Sequence, residues 1–157
     1  MTHMDRIDLN ILAHLQQDAS ISHADLGERV NLSASQVSRR VQRLAQDGVI
    51  RQQVALLDEA SLGLQVEAYV TVTLASYGRG TASGFHARMA ANPAVMECCA
   101  LTGDADYLLR VLTRDLPALS LLINEDLLGH GDVAGLRSSI VLNRVKRTTA
   151  LPLPAAR

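Results

Sequence analysis

Two short amphipathic segments joined by a tight turn, between Ile21 and Ile50, constrain the fold of this chain more than any other stretch. Ser22 is placed to cap the first helix. Ser33, followed three residues later by Gln36, is the capping-box pattern that begins a second helix. Two capped helices separated by so short a connection predict a helix-turn-helix, with its second helix at Ala34–Gln46.

The second helix has one apolar and one polar face on a helical wheel. Between Gln36 and Gln46 it carries hydroxyls, amides and guanidinium groups but no carboxylate. Arg can bond guanine and Gln can bond adenine through paired hydrogen bonds, while short hydroxyls suit phosphate. Periodicity alone is also typical of a solvated face, and most such faces bind nothing. We predict a DNA-reading helix whose contacts come from Ser33, Ser35, Gln36, Ser38, Arg39, Arg40, Gln42 and Arg43.

A leading helix supports the DNA-binding interpretation. The segment from Asp5 to Asp8 is suited to cap it, and four apolar residues share one of its faces: Ile7, Ile11, Leu12 and Leu15. Three short helices are the minimum that gives a recognition helix a small core to rest on. If Arg39 and Arg43 face DNA, replacing either by alanine should cost about 1–3 kcal/mol of site binding with little loss of folding stability.

Charge is focused on the predicted DNA-binding face. The chain has 15 Lys and Arg against 16 Asp and Glu, a net charge of −1, so it is not a strongly basic protein. Four of the six arginines in residues 1–60 nevertheless lie between Arg39 and Arg51, where the only acidic residue is Asp47. We expect binding to double-stranded DNA that depends strongly on salt, is weak for a monomer, and is reinforced in a dimer.

The 157 residues allow one domain or two small ones. No apolar run approaches membrane-spanning length and no basic region precedes an apolar core at the N-terminus, so we expect a cytoplasmic protein without a membrane partner. Cys98 and Cys99 are adjacent, which disfavours a disulfide, and no second pair completes a zinc site. His86 and His130 fit no ligand spacing, so we predict neither a metal nor a cofactor.

The remainder of the chain predicts an α+β domain of the ferredoxin-like βαββαβ kind. We assign residues 1–50 to the helix-turn-helix domain, 51–63 to a linker strand that begins with Ile50–Leu57, and 64–157 to the second domain. The predicted strands and helices are, in order, Val66–Leu74, Thr81–Ala91, Val95–Leu101, Asp106–Thr113, Pro117–Leu128 and a last strand within Val133–Val145.

Two helices can cover only one face of such a sheet. We expect the other face to be apolar, formed by Ala68, Val70 and Val72 or the alternate set, together with positions in Leu108–Leu112 and Ile140–Leu142. An uncovered apolar face implies a partner, and a second copy of the chain is the simplest one. Paired recognition helices would then suit DNA half-sites about 34–36 Å apart.

This combination resembles the Lrp/AsnC family, the feast/famine transcriptional regulators. The resemblance rests on the order and spacing of several motifs: the opening helix from Asp5 to Leu12 with Leu15-Gln16, the segments Leu32-Ser33-Ala34-Ser35 and Gly48-Val49-Ile50, Leu62-Gly63, Gly103-Asp104-Ala105-Asp106-Tyr107, and Ser139-Ile140-Val141-Leu142. Ala19-Ser20 departs from the family's usual Gly-Arg, and Leu136 stands where a polar residue is common.

The resemblance implies a winged helix-turn-helix domain and an αβ-sandwich effector domain of the RAM type. It implies homodimers that assemble further into tetramers or octamers, and an effector that is a free amino acid or related metabolite bound between dimers. An amino acid needs donors for its carboxylate and acceptors for its ammonium. The residues that the resemblance places at this site are Thr102, Gly103, Asp104, Asp106, Tyr107, Ser138 and Ser139; an ordinary Asp/Gly-rich turn is the alternative.

Two other functions remain open. An enzyme would need Cys98 or Cys99 as its nucleophile, but no base is near them and Glu97 disfavours the thiolate. We therefore expect no catalytic activity. An adaptor whose helix-turn-helix docks a protein, without DNA or an effector response, is compatible with the acidic first domain.

Overall fold

The computed structural model describes residues 4–76 and 79–154. The chain divides into two compact units. One reaches from the N-terminal region to Leu56 and takes in the chain from Lys146 onward, and the other spans Leu57–Val145. The predicted second domain extended to residue 157, so the tail differs from the predicted boundary. The tail instead forms hydrogen bonds with Gln16 and packs against the helices of the first unit.

The described part of the first unit contains three α-helices, and their predicted caps are confirmed. They are α1 (Arg6–Leu15), α2 (His23–Val30) and α3 (Ala34–Gln46). The side chain of Ser22 accepts from the backbone N–H of Asp25, and Ser33 and Gln36 form a complete capping box. Each cap satisfies backbone N–H groups that a helix start leaves without partners.

The turn between α2 and α3 depends on one close approach. Asn31 ends α2 in the left-handed region with a φ of 55°, and its N–H donates to the carbonyl of Gly27. A Cβ at Gly27 would lie 2.4 Å from the carbonyl oxygen of Leu32. Only glycine leaves room for the chain to pass so near the helix, so Gly27 fixes the sharpness of this turn.

The core of the first unit lies between the three helices. Its buried residues are Ile11, Leu12, Leu26, Val30, Val37 and Leu44. The C-terminal tail adds to it: the side chain of Gln16 donates to the carbonyl of Leu151 and accepts from its N–H, and Leu153 packs against the core. The tail therefore contributes to the folding of the helical unit.

The second unit has the predicted ferredoxin-like order. Its elements are β1 (Val66–Leu74), α4 (Arg79–Ala91), β2 (Val95–Ala100), β3 (Tyr107–Thr113), α5 (Leu116–Leu121), continued by a π-helical segment (Leu122–Leu128), and β4 (Val133–Ile140). The antiparallel sheet has the order β2-β3-β1-β4. None of the helices in the described ranges is long and apolar enough to cross a membrane.

Both helices cover the same face of the sheet. Ala68, Val70 and Val72 of β1 are fully buried beneath Phe85 of α4 and Leu119 of α5. In the register of the sheet, alternate residues of β1 point to opposite faces. The covered face is therefore set by the even-numbered positions of β1.

Two predictions of secondary structure are wrong. Residues 51–58 contain no strand, because a strand needs a hydrogen-bonded neighbour and none pairs with this segment among the described residues. Helix α4 begins at Arg79, within the loop predicted at 77–80, of which Tyr77 and Gly78 lie outside the described residues. The last strand, Val133–Ile140, lies within the predicted range Val133–Val145.

The uncovered sheet face is mixed rather than apolar, which corrects the prediction. Tyr69 lies opposite Ser139, and Thr71 lies opposite Arg137, all pointing away from the helices. Leu108 also lies on this face, but polar groups dominate it. The aliphatic residues Ala68, Val70 and Val72 of β1 are buried against α4 and α5, so most of the large exposed apolar side chains lie elsewhere.

Candidate nucleic-acid interface and effector site

The polar ridge of α3 that points away from the core is exposed. Val37 and Leu44 are fully buried against α1 and α2. On the opposite side Ser35, Arg39 and Gln42 are all exposed. With 3.6 residues per turn, these three positions are stacked along one line of the helix. We call this set the open ridge.

A second ridge of α3 is joined to the start of α1 by ion pairs. Arg40 Nη1 donates to Asp5 at 2.8 Å and to Asp8 at 2.7 Å, and Arg43 Nη2 donates to Asp8 at 2.5 Å. The Asp8 side chain is 1% exposed, against 25% for Arg40 and 46% for Arg43. We call these four residues the Asp8 ion-pair cluster.

Hydrogen bonds favour the charged forms of Arg40 and Asp5. The hydrogen bond from the guanidinium of Arg40 to Asp8, and then that to Asp5, raises the pKa of Arg40. The backbone N–H of Asp8, followed by a smaller effect of Arg40, keeps the pKa of Asp5 below its ordinary value. Asp5 and Asp8 also form the capping box of α1, so one pair of carboxylates both begins α1 and fastens it to α3.

Sequence reasoning placed the two acids at a helix start but missed their contact with α3. The capping pattern was the available signal, yet it carries no information on a partner more than 30 residues away. The expectation that Arg43 can be removed with little loss of stability is therefore revised, because its guanidinium neutralises a buried carboxylate.

The other predicted DNA-binding residues lie at the start of α3. Gln36 accepts from the N–H and the hydroxyl of Ser33 through its side-chain oxygen. The hydroxyls of Ser33 and Ser35 lie 3.1 Å apart, and Ser38 is half-buried. The structure thus brings all eight residues onto one helix and its N-cap, with Ser33, Ser35, Gln36, Arg40 and Arg43 already engaged within the chain.

The predicted effector turn is open to solvent. Thr102, Gly103 and Asp104 are exposed, and Gly103 has a φ of 136°. Asp106 is half-buried, and one of its carboxylate oxygens accepts from the backbone N–H of Leu74 at 2.7 Å. Asp104 therefore presents its carboxylate outward, whereas Asp106 joins the turn to the end of β1.

The other predicted effector residues are not gathered at this turn. Tyr107 points to the covered face, where its hydroxyl lies 2.8 Å from Nε2 of His86. It lines a cavity of about 480 Å³ between α4 and β2, and His86 was not predicted there. Ser138 and Ser139 are exposed on β4, which β1 separates from β3, so they lie about 10 Å from β3 across the sheet.

The two cysteines lie on opposite faces of β2. Cys98 is opposite Leu109 on the covered side, and Cys99 is opposite Leu108 on the uncovered side. Burial raises the pKa of Cys98, and a hydrogen bond from the Cys99 thiol to Glu97 raises that of Cys99. Both shifts disfavour the thiolate that a nucleophile needs. Among the described residues, no group of three or more His, Cys, Asp or Glu side chains is placed to hold a metal ion.

Two family profiles match the chain, one for each unit. The profile of the winged helix-turn-helix DNA-binding domain matches residues 4–51. The profile of the Lrp/AsnC ligand binding domain matches residues 67–151. The first match contains the whole of α3 and the Asp8 ion-pair cluster, and the second contains the effector turn.

Full-length relatives agree with both profiles. The Bkd operon transcriptional regulator of Pseudomonas aeruginosa is 38% identical, over 98% of this chain and 100% of that protein. The leucine-responsive regulatory protein of Escherichia coli is 34% identical, over 94% of this chain and 90% of its own length. A transcriptional regulator from Neisseria meningitidis, solved as a complex with L-Met, is 37% identical with a TM-score of 0.92, covering 96% of this chain and 97% of the other.

Proposed function

Since the chain belongs to the Lrp/AsnC family of transcriptional regulators, with a winged helix-turn-helix DNA-binding domain and a ligand-binding domain, we propose that it regulates transcription as an effector-responsive homodimer. Its role is regulatory rather than catalytic, as in the relatives named above. A DNA-binding regulator acts where the DNA is, so we propose a cytoplasmic location.

The exposed face of α3 is the observation that carries the DNA-binding part of this proposal. Arg39 and Gln42 are exposed, no carboxylate interrupts this face between Gln36 and Gln46, and the helix rests on a buried core. Of the eight predicted side chains, Ser35, Arg39 and Gln42 are the proposed base contacts, whereas Arg40 and Arg43 are paired with Asp8. Such a face supplies positive charge and hydrogen-bond donors to a major groove.

A gel shift with the DNA upstream of the protein's own gene tests this role. The full chain should retain that DNA at low salt and lose it steeply as salt rises, because phosphate contacts release counterions. An Arg39→Ala variant should bind this DNA more weakly, and an unchanged melting temperature would show that the loss does not come from unfolding. Retention that ignores salt, or no retention at any protein concentration, would favour the protein adaptor instead.

We propose a free amino acid as the effector, bound at the exposed turn and completed by another subunit. The turn supplies backbone N–H groups around Gly103 for a carboxylate, and Asp104 offers an outward carboxylate for an ammonium. The Neisseria relative was solved with L-Met, which makes methionine the first candidate. Thr102, Asp106, Tyr107, Ser138 and Ser139 complete the proposed set, although one chain alone does not gather them.

A thermal-shift screen of the twenty amino acids tests the effector. A ligand at 100 times its Kd should add about 2.7 kcal/mol to the free energy of unfolding. With the ligand found, calorimetry should show weaker binding to Asp104→Ala than to the wild type. Asp47→Ala, a change in the other unit, is the control and should bind normally. Unchanged affinity in both Asp104→Ala and Asp106→Ala would remove this site.

The dimer is proposed on a surface of the second unit that differs from the one expected at first. Its segment Leu142–Val145 carries no secondary structure, and Leu142 is 96% exposed and Val145 is 94% exposed. Large apolar side chains this exposed indicate a partner, and a second copy is the proposed one.

Sedimentation of the full chain tests the assembly. The wild type should sediment as a dimer or as a tetramer or octamer built from dimers, and Leu142→Asp should shift it toward the monomer. Arg137→Asp, which alters the uncovered face of the sheet, is the comparison variant. A monomeric wild type at micromolar concentration would contradict the proposal.

A further inference from the structure

The recognition helix carries two polar ridges with different partners. Gln36, Arg40 and Arg43 follow one another at helical spacing, and each is engaged within the chain. The open ridge of Ser35, Arg39 and Gln42 lies about 100° away around the helix. Both ridges contain an arginine and a glutamine, so the sequence by itself does not distinguish them.

The engaged ridge is held by a buried group. Asp8 is 1% exposed and accepts from both arginines, so moving either guanidinium to DNA would leave a buried carboxylate short of a partner. Arg40 is further held by Asp5, at 2.8 Å. These arginines are also partly neutralised as seen from the DNA, since two acids lie against them.

Arg39 and Gln42 of the open ridge have no such restraint, while the hydroxyl of Ser35 lies 3.1 Å from that of Ser33. In the described part of the chain, the guanidinium of Arg39 and the amide of Gln42 have no hydrogen bond or ion pair. They are three residues apart, a rise of about 4.5 Å along the helix, and base pairs are about 3.4 Å apart. The two side chains can therefore reach neighbouring base pairs.

We infer that the two ridges have different roles. Arg39 and Gln42 of the open ridge determine which DNA sequence is bound. Arg40 and Arg43 are positioning residues, whose bonds to Asp8 hold α3 on α1. Arg39 selects a guanine through its O6 and N7, and Gln42 selects an adenine through its N6 and N7. Ser35, at the helix start, bonds a phosphate or a base edge. The inference rests on DNA binding by this family and refines it to single side chains.

Selection from a pool of random DNA duplexes tests this division without knowledge of the operator. The full-length wild type should enrich a motif in which a guanine and an adenine lie at neighbouring positions of each half-site. Arg39→Ala should lose the guanine preference, lowering the affinity ratio between the motif and a scrambled duplex about five- to 150-fold. Gln42→Ala should lose the adenine preference and keep the guanine.

Arg43→Ala is the matched control, since it removes the same side chain from the other ridge. It should enrich the wild-type motif while lowering the melting temperature, whereas Arg39→Ala should leave the melting temperature unchanged. If Arg43→Ala does not fold, Arg43→Lys keeps a cation beside Asp8 and should also enrich the wild-type motif.

The possible outcomes distinguish a failure of this inference from a failure of the proposed DNA binding. A wild-type protein that enriches no motif would refute sequence-specific DNA binding, and the inference with it. A wild-type motif that survives Arg39→Ala, or that changes at one base in either Arg43 variant, would overturn the division of the ridges while leaving DNA binding intact.

Discussion

Replacing Asp8 by asparagine should destabilise the helical unit more than any surface substitution in it. Asp8 is 1% exposed and accepts from Arg40 and Arg43. A buried charge-assisted hydrogen bond contributes about 1.5–3 kcal/mol. We assign about 2 kcal/mol to the bond from Arg40. The bond from Arg43, whose side chain is 46% exposed, is screened by water and contributes about 1 kcal/mol. Asparagine can still accept one bond, so we expect a loss of about 2–3 kcal/mol.

A double-mutant cycle measures this contribution directly. Thermal unfolding of the full chain, followed by circular dichroism, should show the helical transition of Asp8→Asn about 10–20 °C below that of the wild type. Asp8→Asn combined with Arg43→Gln should be non-additive by about 1 kcal/mol, since the residues are in contact. Asp8→Asn combined with Arg39→Gln is the control and should be additive within about 0.5 kcal/mol.

Equal coupling of Asp8 to Arg39 and to Arg43 would refute the reasoning, because it would mean a general charge effect rather than a specific ion pair. A fall of less than about 1 kcal/mol in Asp8→Asn would also refute it. High salt should reduce the Arg43 coupling only in part, since screening acts weakly on a buried carboxylate.

Three further predictions concern other positions. Gly27→Ala should lower stability by about 1–3 kcal/mol, although alanine is the better helix former, because its Cβ would meet a backbone carbonyl at 2.4 Å; melting temperatures check this. Stability should fall more steeply below about pH 4 in the wild type than in Asp5→Asn, because the folded pKa of Asp5 is lowered. The Asp5 contribution is complete above the unfolded pKa and is lost as the pH falls through the folded one; equal urea midpoints would contradict it. Asp106→Ala should cost about 1–2 kcal/mol through the lost bond to β1, whereas the exposed Asp104→Ala should leave unfolding unchanged.

The helices of the first unit could be predicted almost to the residue, because their signals are local. Ser22 and Ser33 bond N–H groups within three residues of themselves, and this geometry does not depend on the rest of the chain. The alternating residues of β1 likewise identified a strand. Which face of that strand is covered was left open, and the helices settled it at Ala68, Val70 and Val72.

The predictions that failed needed knowledge of distant neighbours. The apolar segment Ile50–Leu57 has the composition of a strand but no hydrogen-bonded partner among the described residues, so composition alone misled. The grouping of the effector residues, which stays a prediction, depends on distance as well: within one chain the sheet order places Ser138 two strands away from Tyr107. Sequence spacing cannot report such separations.

The amino-acid sequence by itself determined which segments form helices and strands, and which helix presents arginines and glutamines, because capping and periodicity act over a few residues. Only the tertiary structure decided which arginines are open to DNA. Arg39 and Arg40 are neighbours in the sequence, yet Arg40 is bonded to an acid 32 residues away and Arg39 is exposed. A buried carboxylate pairs with whichever cation the packing of α1 on α3 places beside it, so the pairing depends on the tertiary structure.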